Sequence, residues 1–189
     1  LKVRYFLKKS KIKGRKVYFN EQTVTSEVLR GIIDGELFKQ GFLGIDTIVA
    51  SGVQAADPHG VGAGPIIPYS AIVCDIFPVS RSSHYFADMS RTIFKGRPDN
   101  GLTRMYEAVR LTQEKSISMV KKGADGSKIY DFARTSLKAQ EFPTDFKKEK
   151  PEGFFHGLGH GVGLDIHEPP SISGMSCRLK KGNVVTIEP

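Results

Sequence analysis

The sequence predicts an α+β domain in which helices and antiparallel strands come in blocks rather than as repeated βαβ units. Three observations carry this prediction: apolar residues recur at helical spacing in three segments, two strand-like runs lie close enough to form a hairpin, and the last strand-like runs follow one another with no helix between them. A hydrophobic fraction of 39% and a charged fraction of 25% over 189 residues suit a folded domain of ordinary size.

Residues 1–20 set apolar patches (Val3, Tyr5, Phe6; Val17, Tyr18, Phe19) among lysines around Gly14, and no element is assigned to them. Thr25 suits the N-cap of a helix. Glu27 falls in its first turn, Val28, Leu29, Ile32, Ile33 and Leu37 recur at helical spacing, and Gly41 ends the pattern. Residues 45–50 are β-branched and apolar, hence a strand, whereas 51–68 are rich in Gly, Pro and Ala and form loops or short turns. The runs 71–77 and 85–94, separated by the polar stretch 80–83, read as a hairpin. Asp99 and Asn100 offer caps for a helix to about Lys121, which Gly123 stops, and Ser127 offers the cap of another carrying Ile129, Phe132, Ala133 and Leu137. A charged, proline-bounded loop over 142–151 precedes two further strand-like runs, 154–166 and 183–187.

The chain has 28 Lys and Arg against 20 Asp and Glu, and the excess sits at one end. Lys2, Arg4, Lys8, Lys9, Lys11, Lys13, Arg15 and Lys16 are eight bases with no acid among them, and removing them from the 28 leaves 20 bases against 20 acids. A nucleic-acid or anionic-membrane binder spreads its bases over a face of the folded domain, so neither partner is expected. No apolar run approaches the roughly 20 residues that span a bilayer, and the charged start is unlike a secretion signal. Two cysteines, Cys74 and Cys177, supply neither a disulfide framework nor a four-thiolate zinc site, which suits a reducing cytoplasmic location.

Asp75 and Asp88 fall inside apolar strand-like runs, where a carboxylate is costly to bury unless a positive group pairs with it. Thirteen residues apart on a hairpin, they are placed to converge on one metal ion or a pair; the alternative is that Asp88 pairs with Arg91 and Asp75 sits at a strand end. In HGLGHGVGLDIHEPP, three of the chain's five histidines (His156, His160, His167) fall within twelve residues, interleaved with four glycines that admit close approach of backbone or ligand. Glu188 closes the apolar run VVTIEP, and its alternative reading is an exposed terminal glutamate. Two aspartates, a histidine and a glutamate form a mixed oxygen and nitrogen donor set suited to Mn²⁺, Co²⁺, Fe²⁺ or Zn²⁺, and too rich in carboxylate for structural zinc. A pair of such ions lowers the pKa of a bridging water and polarises a carbonyl, the chemistry of amide hydrolysis.

Taken together, Asp75, Asp88 in DMSRT, His160 in HGLGHGVGLDIHEPP and Glu188 in VTIEP resemble the pita-bread metallopeptidase family, which includes Xaa-Pro aminopeptidases, prolidases, methionine aminopeptidases and creatinase. The likeness runs from about Thr25 to Pro189, and the first histidine of the glycine-rich run makes it most similar to the Xaa-Pro branch. The resemblance implies a curved antiparallel sheet flanked by helices, two divalent metal ions (Mn²⁺ or Co²⁺ first, Zn²⁺ or Fe²⁺ next), and removal of the residue ahead of proline through a metal-activated water. By it, Asp75 chelates one ion, Asp88 bridges both, and His160 and Glu188 hold the other, Glu188 also handling the water's proton. His59, in ASGVQAADPHG, matches a histidine of the substrate pocket, and His156 and His167 match two that contact substrate and stabilise the oxyanion. The family also carries a second bridging glutamate further along than Pro189, so a domain over 23–189 incomplete at its C-terminal end is expected, preceded by a basic segment or linker over 1–22. The partners expected are a peptide substrate and, as the candidate assembly, a homodimer. A catalytically impaired peptide-binding module and a creatinase-like C–N hydrolase are the alternatives.

Overall fold

Helix α1 (Lys2–Lys9) opens the chain in the computed structural model, which describes residues 2–147 and 151–189. Residues 148–150 of the expected charged loop lie outside the described residues. Val3 and Leu7, one turn apart, are the buried face of α1, and its lysines and arginine are exposed. An eight-residue helix is marginal alone, so packing and capping make it. Lys95 Nζ donates to the carbonyls of Leu7 (2.7 Å) and Ser10 (2.5 Å), satisfying acceptors that the helix end leaves open. Strands β1 (Lys11–Lys13), β2 (Lys16–Phe19) and β3 (Gln22–Thr23) follow as an antiparallel meander, with Gly14 at φ +60° in the first turn. The apolar patches that resist assignment in the sequence are thus two different elements.

Helix α2 (Ser26–Lys39) starts where expected: the Thr25 hydroxyl accepts from the Val28 N–H at 3.3 Å, and Leu29 and Ile33 face the core. Glu27 accepts from the Gly64 N–H (3.0 Å) and from the Thr25 side chain, and these hydrogen bonds, Thr25 first, bring its carboxyl down to about 2. Strand β4 (Phe42–Leu43) pairs with β7 (Val79–Ser80). Between them come β5 (Ile48–Ser51), a 3₁₀ turn (Gly52–Ala56) and β6 (Ala71–Ile76), and after them β8 (Met89–Phe94). The antiparallel order is β5-β6-β8, so β6 is central, and its alternation buries Ile72, Cys74 and Ile76 while turning Asp75 the other way. The hairpin is present, but its second strand begins at Met89 rather than at 85, and the preceding strand begins at Ile48 rather than at 45. These elements form one compact unit, reaching Leu102, around a core that includes Leu7, Val17, Leu29, Val49, Ile66 and Ile72.

A second unit runs from Thr103 to Pro189. Helix α3 (Asn100–Met119) is capped by Asp99, whose carboxylate accepts from the Leu102 N–H at 2.8 Å. Helix α4 (Gly126–Ala139) is capped by Asp125, not Ser127. A carboxylate two residues earlier accepts from the Ser127 N–H (3.1 Å) and hydroxyl (2.9 Å), and from the Ser176 hydroxyl (2.9 Å), bonds that hold it below the usual carboxylate range. Gly126 has no room for a side chain, since a Cβ there would meet Cys177 Sγ at 2.5 Å. The strand expected over 154–166 shrinks to β9 (Gly159–Gly161), paired with β10 (Glu168–Ile172). Residues 184–188 run antiparallel beside β9 through the bonds Val162 N–H to Val184 O (3.2 Å), Thr186 N–H to His160 O (2.8 Å) and Glu188 N–H to Leu158 O (2.8 Å). The core of this unit includes Ile129, Ala133, Leu137, Phe154, Leu158 and Ile172. Among the described residues, no helix is long and apolar enough to cross a membrane.

Candidate metal centre

Within the first unit, the register of the hairpin sets the two aspartates. Asp75 on β6 lies opposite Ser90 on β8, and the Ser90 hydroxyl donates to Asp75 Oδ1 at 2.5 Å. Continuing that register two residues back puts Asp88 on the same face as Asp75, as a diagonal rather than a direct neighbour. Both are half-buried. Cys74, next to Asp75, is fully buried and its thiol is pushed up to about 11 by desolvation, so it is no nucleophile.

His59 is on an exposed turn of the same unit, where its N–H donates to Asp57 Oδ1 at 2.9 Å. The loop behind it is tied down. Arg30 donates to the carbonyls of Val61 (2.7 Å) and Gly62 (3.3 Å), and Val49 N–H donates to Val61 O at 3.1 Å. Gly62 sits at φ +74°, and a Cβ there would fall 2.0 Å from the Val49 carbonyl.

In the second unit the ladder 184–188 lays Glu188 against β9. His160 Nε2 lies 3.0 Å from Glu188 Oε1, with both side chains largely covered. The other ring nitrogen, Nδ1, is 3.0 Å from the Gly161 carbonyl, which can only accept, so Nδ1 carries a hydrogen and Nε2 is the ring atom turned to the carboxylate. A ring nitrogen and a carboxylate oxygen this close call for a cation between them, either a proton or a metal ion. Two ligands each about 2.1 Å from one ion and at right angles are themselves about 3.0 Å apart, so the pair fits divalent metal. The glycines on either side are needed for close approach: a Cβ at Gly159 would lie 2.0 Å from the Thr186 carbonyl, and one at Gly161 2.5 Å from the Glu168 carbonyl.

His167 meets His160 edge to face, ring centroids 4.2 Å apart, and is exposed. His156 is also exposed, packs edge-on against Phe154 (5.0 Å), and has Nδ1 2.7 Å from the Gly157 carbonyl. Burial pushes the Glu188 carboxyl up, but hydrogen bonds from His160 and Thr186 and the charges of His160 and His156 outweigh it, and the net direction is down. Two contributors were not singled out in the sequence, Ser90 and Thr186. Each carries a legible signal, a hydroxyl placed at even separation from a strand carboxylate: Ser90 two residues after Asp88, Thr186 two before Glu188.

The model of metallopeptidase family M24 matches residues 7–189, a span that begins ahead of Thr25. The Xaa-Pro dipeptidase of Pyrococcus furiosus is 37% identical over 146 residues, which are 76% of this chain and 39% of that protein. The Xaa-Pro dipeptidase of Lactobacillus helveticus is 32% identical over 171 residues, 88% of this chain and 44% of that protein. Among solved structures, the prolidase from Pyrococcus horikoshii OT3 superposes with a TM-score of 0.78 at 28% identity, covering 98% of this chain and 49% of that one. Methionine aminopeptidase from Rickettsia prowazekii reaches a TM-score of 0.70 at 18% identity over 87% of this chain and 67% of that one, a likeness of fold alone. The chain spans less than half the length of these dipeptidases.

Proposed function

Because the chain belongs to metallopeptidase family M24 and has the pita-bread fold of its prolidases, we propose that it carries the catalytic residues of a metal-dependent exopeptidase acting ahead of proline, as an Xaa-Pro dipeptidase or aminopeptidase. The observation that carries the reading is the His160–Glu188 pair, with Nε2 and Oε1 3.0 Å apart and Nδ1 held by a backbone carbonyl. Asp75, Asp88, His160 and Glu188 are the proposed ligands of two divalent ions, Mn²⁺ or Co²⁺, within a catalytic domain over 23–189. When bound, the ions supply a hydroxide near neutral pH and polarise the scissile carbonyl.

The rest is the work of side chains. Ser90 and Thr186 donate to Asp75 and Glu188 and fix the direction of each carboxylate. Glu188 Oε1 already accepts from Thr186 and faces His160, so Oε2 is the atom that takes the proton of the attacking water. His156 and His167, exposed beside that pair, and His59 on its braced loop contact the substrate, and an imidazole N–H among them donates to the oxyanion. The substrate is a peptide with proline second, the setting is the cytoplasm, and the assembly is a homodimer.

The test is an assay on the natural gene product that carries this chain, loaded with Mn²⁺ or Co²⁺. Free proline should appear from Xaa-Pro dipeptides, cease with chelator, and be lost in Asp88→Asn. Release from dipeptides but not from longer Xaa-Pro peptides marks the dipeptidase. No release under Mn²⁺, Co²⁺, Zn²⁺ or Fe²⁺ would sink the proposal.

A further inference from the structure

Thr186 is joined to both members of the His160–Glu188 pair, and the geometry points to it as a positioning residue for them, an inference that rests on the metal reading above. We propose that the Thr186 hydroxyl sets the Glu188 carboxylate and the His160 backbone together, so that the two side chains present one preformed pair of ligands to the ion.

The argument begins with Gly159. In a regular antiparallel pair, residues 160 and 186 would exchange two backbone bonds. Only one is made, Thr186 N–H to His160 O at 2.8 Å. The Thr186 carbonyl lies instead over Gly159, where a Cβ would come within 2.0 Å of it, and only glycine allows this. That leaves the His160 N–H without its ladder acceptor, and the Thr186 hydroxyl oxygen takes its place at 3.0 Å.

A hydroxyl has one proton to give. The Thr186 proton has two acceptors in reach, Glu188 Oε1 at 2.7 Å and His160 O at 3.5 Å, and the shorter takes it. One oxygen therefore accepts from the backbone of one ligand and donates to the side chain of the other. Glu188 Oε1 is held by this bond at the position 3.0 Å from His160 Nε2. Partners of this kind around a metal ligand typically alter affinity by 10–100-fold when removed.

Two substitutions separate the hydroxyl from the methyl. Thr186→Val keeps shape and methyl and loses both hydrogen bonds; Thr186→Ser keeps the hydroxyl and loses the methyl. Mn²⁺ binding to the purified chain is measured by calorimetry, with thermal unfolding of the metal-free proteins alongside. Thr186→Val should bind Mn²⁺ at least about tenfold more weakly, and Thr186→Ser within about threefold of wild type. A residue that merely packed would give the reverse order, and wild-type affinity in Thr186→Val would overturn the inference while leaving the metal reading intact. Should Thr186→Val not fold, Thr186→Ala compared with Thr186→Ser decides by the same criterion. A wild-type chain that takes up no Mn²⁺ removes the metal reading and this inference with it.

Discussion

Gly159→Ala should be far more damaging than Gly157→Ala, although the two glycines are two residues apart in one motif. An alanine Cβ at 159 would lie 2.0 Å from the Thr186 carbonyl oxygen, 2.7 Å from its carbon and 3.0 Å from Thr186 Oγ1, against 3.4 Å or more for ordinary contact. Relief requires a shift of about 1.4 Å between β9 and the 184–188 segment. The bonds at stake are Thr186 N–H to His160 O, Glu188 N–H to Leu158 O and His160 N–H to Thr186 Oγ1, at 2.8, 2.8 and 3.0 Å. Each is worth about 1 kcal/mol net, so their loss costs roughly 3 kcal/mol. The lower entropy of the unfolded alanine chain returns about 0.5–1 kcal/mol. The net expectation is about 2 kcal/mol for Gly159→Ala. At Gly157 the nearest atoms are Ile172 O at 3.6 Å and Ser173 Cβ at 3.8 Å, so Gly157→Ala should stay within about 0.5 kcal/mol of wild type. Urea unfolding followed by far-UV circular dichroism reads both, since the chain has no tryptophan to follow. Equal urea midpoints for the two variants, or a wild-type midpoint in Gly159→Ala, would refute the argument from close approach.

Glu27 makes stability depend on acid pH. Its carboxyl is brought from 4.5 to about 2 by bonds from Thr25 and Gly64. A folded-state value below the unfolded one means its contribution is complete above about pH 4.5 and is lost as pH falls toward 2, so the gap between wild type and Glu27→Gln in urea midpoint should be constant at neutral pH and close over that window. A gap that persists at pH 2 would contradict it. Lys95→Met removes one ammonium and its two hydrogen bonds from the end of α1, and should lower unfolding free energy by about 2 kcal/mol with faster amide exchange in residues 2–9; unchanged exchange there would refute the capping role.

The long helices and the central hairpin were legible because periodicity and caps agree there: Thr25 before α2, Asp99 before α3, and the alternation of Ile72, Cys74 and Ile76 on β6. The four ligand candidates were legible for the opposite reason, as carboxylates and a histidine where local pattern asks for apolar residues. What was hidden depends on distant partners. Helix α1 needs Lys95, nearly ninety positions away, and has no strong signal of its own. The cap of α4 is Asp125 rather than Ser127 because its carboxylate also gathers Ser176 and the Cys177 N–H, contacts some fifty residues away. The glycine-rich run reads as a strand but is one for only three residues, because Gly159 and Gly161 serve close approach to Thr186 and Glu168 rather than a regular ladder. Thr186, β-branched and set between apolar residues, has a local pattern that asks only for a strand, so that pattern gives no sign that its hydroxyl joins two ligands.

Mn²⁺ titration of the purified chain and of three variants, Asp88→Asn, His160→Ala and Glu188→Gln, bears most directly on whether these residues hold metal. Wild type should bind Mn²⁺, and each variant should bind it at least about tenfold more weakly while unfolding cooperatively. Absence of Mn²⁺ and Co²⁺ binding in wild type, or wild-type affinity in His160→Ala and Glu188→Gln, would contradict the assignment of this site.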